Sequence, residues 1–186
     1  LDDPLLVLVN AAHKMPDGTD DGVVEQYDIT LDKRALDAYG QMYQAASKDG
    51  ITLWISSGYR SPTLQAQLYQ QEIDDNLAKG MTENEAVEEA DRAVQKPGYS
   101  EHNTGLAMDF NTVNNSFKNT NTYTWLMEHA EDYGFVLRYP EDKENITGIM
   151  YEPWHFRYVG VEHAKKMNEL HMCLEEYVEY VRSQQS

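Results

Sequence analysis

Two of the six histidines lie where neighbouring residues could build a metal site. His102 lies in a glycine-flanked loop directly before a segment whose apolar residues alternate as in a strand. Asp109 falls on the opposite face of that strand from its apolar residues. His155 and Arg157 share one face of a later predicted strand. Two imidazoles and one carboxylate form a three-ligand zinc set that leaves one coordination position for water, as in catalytic sites.

Two further residues could act beside such a metal. Glu152 precedes His155 by three residues, and Pro153 between them restricts the backbone. A carboxylate there could take a proton from a water whose pKa the metal lowers to about 7, without itself being a ligand. Arg60 lies in a turn between a predicted strand and a proline-capped helix, where functional residues concentrate.

The other candidate residues have simpler interpretations. A histidine beside a strand is more often a hydrogen-bonded structural residue than a ligand, so either motif alone is weak evidence. The remaining histidines are expected on the surface or on helix faces: His13, His129, His163 and His171. Cys173 is the only cysteine, which excludes an intrachain disulfide and a cysteine-rich metal site. We expect it to be a small buried residue, because no base that would activate its thiol is evident.

Helices and short strands are mixed along the chain. Apolar residues at helical spacing predict helices at residues 32–48, 61–80, 82–96 and 122–134 and in the tail after residue 160. Period-two segments and β-rich runs predict strands at residues 51–55, 106–110, 135–139 and 154–159. The polar stretches 13–28 and 111–121 are predicted loops. Because strands and helices do not alternate regularly, we expect an α+β fold with a small antiparallel sheet flanked by helices, in one domain spanning residues 1–186.

Charge and hydropathy exclude several function classes. The chain has 32 acidic and 15 basic residues and a net charge of −17. This field repels phosphate backbones and anionic lipids, so we expect no nucleic-acid partner. No apolar run approaches the roughly 18 residues that a membrane span needs, so we expect no membrane insertion by this segment.

Three motifs in chain order resemble a known family. They are SGYRS at 57–61, SEHNTGLAMD at 100–109 and EPWH at 152–155, the last within a longer similar stretch at 133–160. The sequence resembles the zinc D-alanyl-D-alanine carboxypeptidases of the vancomycin-resistance type, the VanY and VanXY group, which share a fold with the hedgehog signalling domain. The resemblance covers most of the chain and is weakest over residues 74–96.

The resemblance implies roles for single residues. It implies one zinc ion per chain, bound by His102, Asp109 and His155. Glu152 would be the general base, and Arg60 would steady the scissile carbonyl as it becomes an oxyanion. Ser100 and Gln67 match positions that contact substrate in the family.

The implied activity is removal of the C-terminal D-alanine from peptidoglycan precursors ending in D-Ala-D-Ala, the target of vancomycin. Dipeptidase activity on free D-Ala-D-Ala could accompany it. An alternative is an L,D-carboxypeptidase that trims tetrapeptide stems. A different class is a non-catalytic zinc domain that binds cell-wall or protein partners, but the retained Glu152 and Arg60 argue against it. The resemblance implies a bacterial protein. No signal peptide is visible and the chain opens at Leu1 rather than Met, which leaves open a cytoplasmic location or an anchor at the outer face of the cytoplasmic membrane.

Overall fold

The computed structural model describes residues 2–185, so the first and last residues of the predicted domain lie outside the described part. The helices are α1 (Lys33–Lys48), α2 (Pro62–Ala78), α3 (Glu83–Ala93), α4 (Asn121–His129), α5 (Glu144–Thr147), α6 (Val161–Leu170) and α7 (Leu174–Gln184). The strands are β1 (Val23–Gln26), β2 (Ile29–Asp32), β3 (Ile55–Ser57), β4 (Ala107–Phe110), β5 (Phe135–Leu137) and β6 (His155–Tyr158). Helices and small antiparallel sheets together confirm the predicted α+β class.

The four-stranded sheet positions the candidate ligands. Its strand order is β3-β4-β6-β5, and every neighbouring pair is antiparallel. In the β4–β6 register Asp109 lies opposite His155, and Met108 lies opposite Phe156. Because side chains alternate between the two faces of a strand, one face carries Asp109 and His155 together while the other carries apolar residues. The predicted alternation in this segment is confirmed.

The apolar face of the sheet packs against α1 and α4 to form the main core. Its buried members include Leu36, Met42, Met108, Phe110, Trp125 and Phe156. The ring of Phe110 lies 5.6 Å from that of Phe156 and 6.0 Å from that of Tyr39 on α1. This close packing of the apolar face fixes the positions of β4 and β6. The opposite face, which carries Asp109 and His155, therefore has a fixed geometry.

A second cluster of buried residues joins both ends of the chain. Leu6 from the N-terminal segment packs with Val136, Val159 and residues of α6 and α7. In the N-terminal segment Pro4–Leu6 forms a short 3₁₀ turn, and the residues that follow it, up to Val9, belong to none of the strands. The predicted helical tail is confirmed, although it breaks into two helices between Leu170 and Leu174.

Two of the strands are not predicted from the sequence. β1 lies within the stretch 13–28 that the polar composition predicts as loop, and it forms a hairpin with β2, which directly follows that stretch. Its turn residues, Tyr27 and Asp28, have φ of 54° and 62°. Such a turn usually contains Asn-Gly or Asp-Gly, so Tyr-Asp gives no recognisable signal. The strand expected at residues 51–55 forms later, at Ile55–Ser57, where β4 offers hydrogen-bond partners.

Polar side chains cap the N-termini of α2 and α3. The Ser61 side chain accepts a hydrogen bond from the backbone N–H of Leu64 and starts α2 with proline at its first position. Thr82 and Glu85 form a reciprocal capping box at the start of α3. Between residues 2 and 185, none of the helices has the length and apolar character needed to cross a membrane.

Candidate functional site

The structure brings His102, Asp109 and His155 together, and all three are buried. His102 lies in a 3₁₀ turn over Glu101–Thr104, Asp109 in β4 and His155 at the start of β6. One potential ligand atom from each residue lies within 4.8 Å of the other two. Sequence reasoning grouped these residues by motif, and the β4–β6 register places two of them side by side.

The ring of His102 is fixed by a backbone hydrogen bond. Its Nδ1 lies 2.8 Å from the carbonyl oxygen of Gly58, an acceptor, so Nδ1 carries the proton. Its Nε2 then faces Asp109, 3.4 Å from Oδ1. A metal-binding histidine usually donates its other N–H to such an acceptor, which fixes the tautomer and the ring orientation.

His155 lies between two carboxylates. Its Nδ1 is 3.0 Å from Asp109 Oδ1 and its Nε2 is 3.1 Å from Glu101 Oε1. Burial alone would lower the pKa of His155, but the hydrogen bonds to Asp109 and Glu101 raise it to about 10. Burial alone would raise the pKa of Asp109, yet the two histidines hold it below its usual range.

This donor set fits a divalent metal ion. His102 Nε2, His155 Nδ1 and an Asp109 oxygen converge, while each remaining ring nitrogen has its own acceptor. Two imidazole nitrogens and one carboxylate oxygen are ligands that zinc accepts, with a fourth position open in catalytic sites. The residues present therefore fit the zinc that the sequence motifs imply.

Glu152 lies at the edge of this group. Its Oε1 is 3.9 Å from His155 Nδ1, and its side chain is 22% exposed. Burial, with Asp109 and Glu101 as nearby negative charges, raises the pKa of Glu152 to about 7 despite the opposing charges of His155 and Arg60. Its backbone N–H donates to Tyr139 O, and its carbonyl accepts from the His155 N–H. The tight turn through Pro153 thus holds the carboxylate near the ligands without making it one of them.

The ligands and Glu152 line a narrow cavity of about 130 Å³. Its other lining residues are Arg60, Ala93, Val94, Gln95, Ser100, Glu101, Val113, Tyr139 and Trp154. A larger cleft of about 840 Å³ lies between the N-terminal segment and α7 and holds none of the predicted site residues. Its lining residues include none of the metal-ligand group found among the described residues, so its larger size does not make it the better candidate site.

Arg60 reaches the cavity because its backbone is tied to the His102 turn. Its N–H donates to His102 O at 2.9 Å, and Asn103 Nδ2 donates to Arg60 O at 2.7 Å. Ser100 is buried, caps the same turn and lines the cavity. The structure therefore places both residues beside the candidate ligands.

The structure does not bring Gln67 to the cavity. It is exposed on α2, whereas Gln65 on the same helix is fully buried. Two residues along an α-helix are separated by about 200°, so the two side chains lie on opposite sides. Gln65 Nε2 donates to the carbonyls of Val94 and Gln95, which line the cavity. Its Oε1 is buried without a hydrogen-bond partner among the described residues, a free acceptor that sequence reasoning missed.

Sequence reasoning also missed a buried charged cluster behind His155. Its members are Glu101, Arg138, Arg157 and Glu175. Burial acts to raise the pKa of Glu101, but Arg138 and Arg157 hold that pKa well below its usual range. One signal was available: Arg157 lies inside a predicted strand and Arg138 at the end of another, positions where apolar residues are the rule.

The remaining residues keep the roles expected of them. Cys173 is buried, and burial raises the pKa of its thiol to about 11, so it is protonated at neutral pH. His129 packs on Trp125 at a helix face, and His163 bonds Asp3 and Tyr177. Neither histidine belongs to the candidate metal group.

Comparison with known proteins identifies close relatives. The sequence profile of the family described as VanY, D-alanyl-D-alanine carboxypeptidase, matches residues 28–161. A D-alanyl-D-alanine carboxypeptidase of Enterococcus faecalis is 37% identical over 182 residues, covering 93% of this chain and 65% of that protein. The chain thus spans about two thirds of the length of this curated relative.

Solved structures extend the comparison to the fold. A vancomycin-resistance D,D-pentapeptidase VanY in complex with Zn(II) has a TM-score of 0.83 at 36% identity, covering 94% of this chain and 99% of that one. VanYB in complex with D-alanine-D-alanine has a TM-score of 0.83 at 37% identity, over 94% and 97%. The LD-carboxypeptidase LdcB has a TM-score of 0.83 at 35% identity, over 96% and 88%.

Proposed function

This chain belongs to the VanY family of D-alanyl-D-alanine carboxypeptidases, and we propose that it is a zinc-dependent D,D-carboxypeptidase. The observation that carries the proposal is one cavity that joins a converging His-Asp-His set with Glu152 and Arg60. The substrates are peptidoglycan precursors ending in D-Ala-D-Ala, the dipeptide bound in the VanYB structure. The enzyme unit is one domain spanning residues 1–186.

His102, Asp109 and His155 would hold one zinc ion per chain, which when bound would supply Lewis-acid chemistry to polarise a carbonyl. Glu152 takes the proton of the attacking water on its carboxylate and passes it to the leaving amine. Arg60 places a permanent, planar positive charge where the carbonyl oxygen becomes negative.

The narrow cavity supports cleavage at a chain end rather than within a chain. A volume of about 130 Å³ suits one small residue beside the converging groups. Ser100 lines this cavity, and the side-chain amide of Gln65 holds two further lining residues, Val94 and Gln95, from behind. Dipeptidase activity on free D-Ala-D-Ala accompanies the main activity if the cavity accepts the shorter substrate equally well.

An L,D-carboxypeptidase acting on tetrapeptide stems is the second candidate function. The observation that favours it is the similarity to LdcB, whose TM-score equals that of the VanY structures. A non-catalytic zinc domain is less well supported, because metal binding alone requires neither Glu152 nor Arg60 in the cavity. The curated relatives are bacterial, and we propose either a cytoplasmic location or one at the outer face of the cytoplasmic membrane.

Incubation with matched stem peptides tests the proposal. The zinc-loaded protein is given a pentapeptide ending in D-Ala-D-Ala, the corresponding tetrapeptide, and a pentapeptide amidated at its C-terminus. Mass spectrometry should show loss of one alanine from the free pentapeptide and no change in the amidated one. Faster cleavage of the tetrapeptide would select the L,D activity, and equal cleavage of the amidated peptide would contradict a carboxypeptidase.

A further inference from the structure

A buried carboxylate connects His155 to two arginines. Glu101 Oε1 lies 3.1 Å from His155 Nε2, while its Oε2 accepts from Arg138 Nε and Arg157 Nη1, each at 2.7 Å. We propose that Glu101 is a positioning residue for the metal centre: it binds the Nε2–H of His155 and so directs Nδ1 toward Asp109 and His102. This inference rests on the metal centre of the proposed function.

His155 needs such a partner because an imidazole can hold its proton on either nitrogen. A proton on Nδ1 would lie where the metal must bind. In this structure Nδ1 faces the Asp109 carboxylate, whereas a metal would need the Nδ1 lone pair. An ionised carboxylate at Nε2 only accepts, so it keeps a ring proton on Nε2 and would leave Nδ1 as the nitrogen available to a metal. Glu101 is 1% exposed and His155 3%, which leaves little room for water to replace this bond.

The two arginines fix the carboxylate itself. Arg157 Nη2 donates to the backbone carbonyls of Leu5 and Val7, at 2.8 and 2.7 Å. Arg138 binds Glu175 on α7 through Nη1 and Nη2, each at 2.7 Å. Both oxygens of Glu101 are thus occupied, and its supports extend to the N-terminal segment and to α7. Two guanidinium groups and two carboxylates balance the charge of the cluster.

The cluster also offers a control residue, Glu175, for a test of the role of Glu101. Glu101 and Glu175 both pair with Arg138, but Glu101 alone of these two hydrogen-bonds a candidate metal ligand. Loss of Glu101 removes its ion pairs with Arg138 and Arg157, and loss of Glu175 removes its pair with Arg138, so either loss should destabilise the fold. If the cluster serves stability alone, the two losses are equivalent for the metal. If Glu101 positions His155, only its loss weakens metal binding.

The experiment compares Glu101→Gln and Glu175→Gln with the unmodified protein. Zinc dissociation constants are measured by competition with a chromophoric chelator, and thermal unfolding is followed on metal-free protein. Absorption spectra of all three proteins loaded with cobalt(II) report the geometry of the metal ligands. Glu101→Gln should weaken zinc binding by roughly 10- to 100-fold and change the cobalt spectrum. Glu175→Gln should lower the unfolding temperature and leave the zinc constant within about threefold.

Equal zinc constants for Glu101→Gln and the unmodified protein would overturn the proposal, as would equal weakening in both variants. If Glu101→Gln fails to fold, Glu101→Asp replaces it, because aspartate keeps the charge and withdraws the carboxylate by one methylene. The same loss of zinc affinity is expected, and unchanged affinity would overturn the proposal. Zinc binding with the expected variant pattern but no peptide cleavage would refute the proposed function and leave this inference standing.

Discussion

At the scale of single residues, the site separates groups that hold a metal from groups that act on the substrate. His102, Asp109 and His155 converge, while Glu152 and Arg60 line the same cavity outside that set. This division gives each group its own experimental signature. Loss of a ligand should remove the metal, whereas loss of the base or the arginine should leave it bound.

Glu152→Gln tests the base. Glutamine keeps the size of the side chain but cannot accept the proton, so turnover should fall by at least ~10²-fold. Zinc content should stay near one equivalent, because Glu152 is not in the converging ligand set. Turnover is measured by release of D-alanine and zinc by elemental analysis. Zinc loss in this variant would instead make Glu152 a ligand.

Arg60→Ala tests the oxyanion partner. Removing a charge that acts on the developing oxyanion should lower kcat by about 10²- to 10³-fold. Binding of a phosphinate that mimics the tetrahedral intermediate should weaken in parallel, with zinc content unchanged. Calorimetric titration with the phosphinate checks this. A variant that binds the phosphinate as tightly as the unmodified protein would exclude Arg60 from that role.

At the scale of elements, the His102 turn must dock closely on the β1–β2 hairpin. Gly105 ends that turn with φ of 78°, and its carbonyl accepts a hydrogen bond from Asp32 N at 2.8 Å. A Cβ there would lie 2.7 Å from Val23 Cγ2 and 2.8 Å from Asp32 N. The hairpin thus constrains the ligand turn, although it is remote from it in sequence.

Gly105→Ala should therefore destabilise the protein by about 1–3 kcal/mol through backbone strain, with further loss from the displaced hairpin. Urea unfolding measures the change. Gly40→Ala is the matched control: Gly40 lies exposed in α1 with open space around it, so alanine should stabilise by roughly 0.5–1 kcal/mol. Equal effects of the two substitutions would contradict the tight docking.

At the scale of the whole molecule, buried charges hold the N-terminal segment and α7 to the site. Arg157 binds carbonyls of the N-terminal segment, and Arg138 binds Glu175 on α7. Breaking a buried ion pair by removing one partner costs several kcal/mol, because the other charge stays buried. The N-terminal segment and α7 are thus part of the scaffold behind the candidate metal ligands.

Glu175→Gln tests whether the Glu175–Arg138 ion pair makes the stability of the fold depend on pH. Burial acts to raise the pKa of Glu175, but Arg138 and Asn10 hold it below its usual value of 4.5. A carboxyl with a lowered pKa contributes stability above pH 4.5 that is lost as the pH falls through its folded pKa. The variant should be less stable by about 3 kcal/mol at pH 7, and the difference should shrink below pH 4.5. Urea unfolding across this pH range checks both; a constant difference would contradict the ion pair.

The sequence by itself determined the chemistry of the candidate site. The types and order of residues in three short motifs led to His102, Asp109, His155, Glu152 and Arg60. Each motif is local, and the strand alternation that puts Asp109 opposite the apolar face is local as well. The α+β class followed from the same local periodicities, which decide helix or strand over a few residues.

Tertiary structure alone decided what surrounds these residues. Glu101 meets Arg138 across 37 positions and Arg157 across 56, and no short pattern records a pairing over such distances. The β1–β2 hairpin and the shifted β3 likewise depend on partners supplied by the fold. Gln65 rather than Gln67 lies behind the cavity because helix rotation is set by packing against α3. Long-range contacts of this kind form only when the chain has folded, since they depend on the register of strands and the docking of helices.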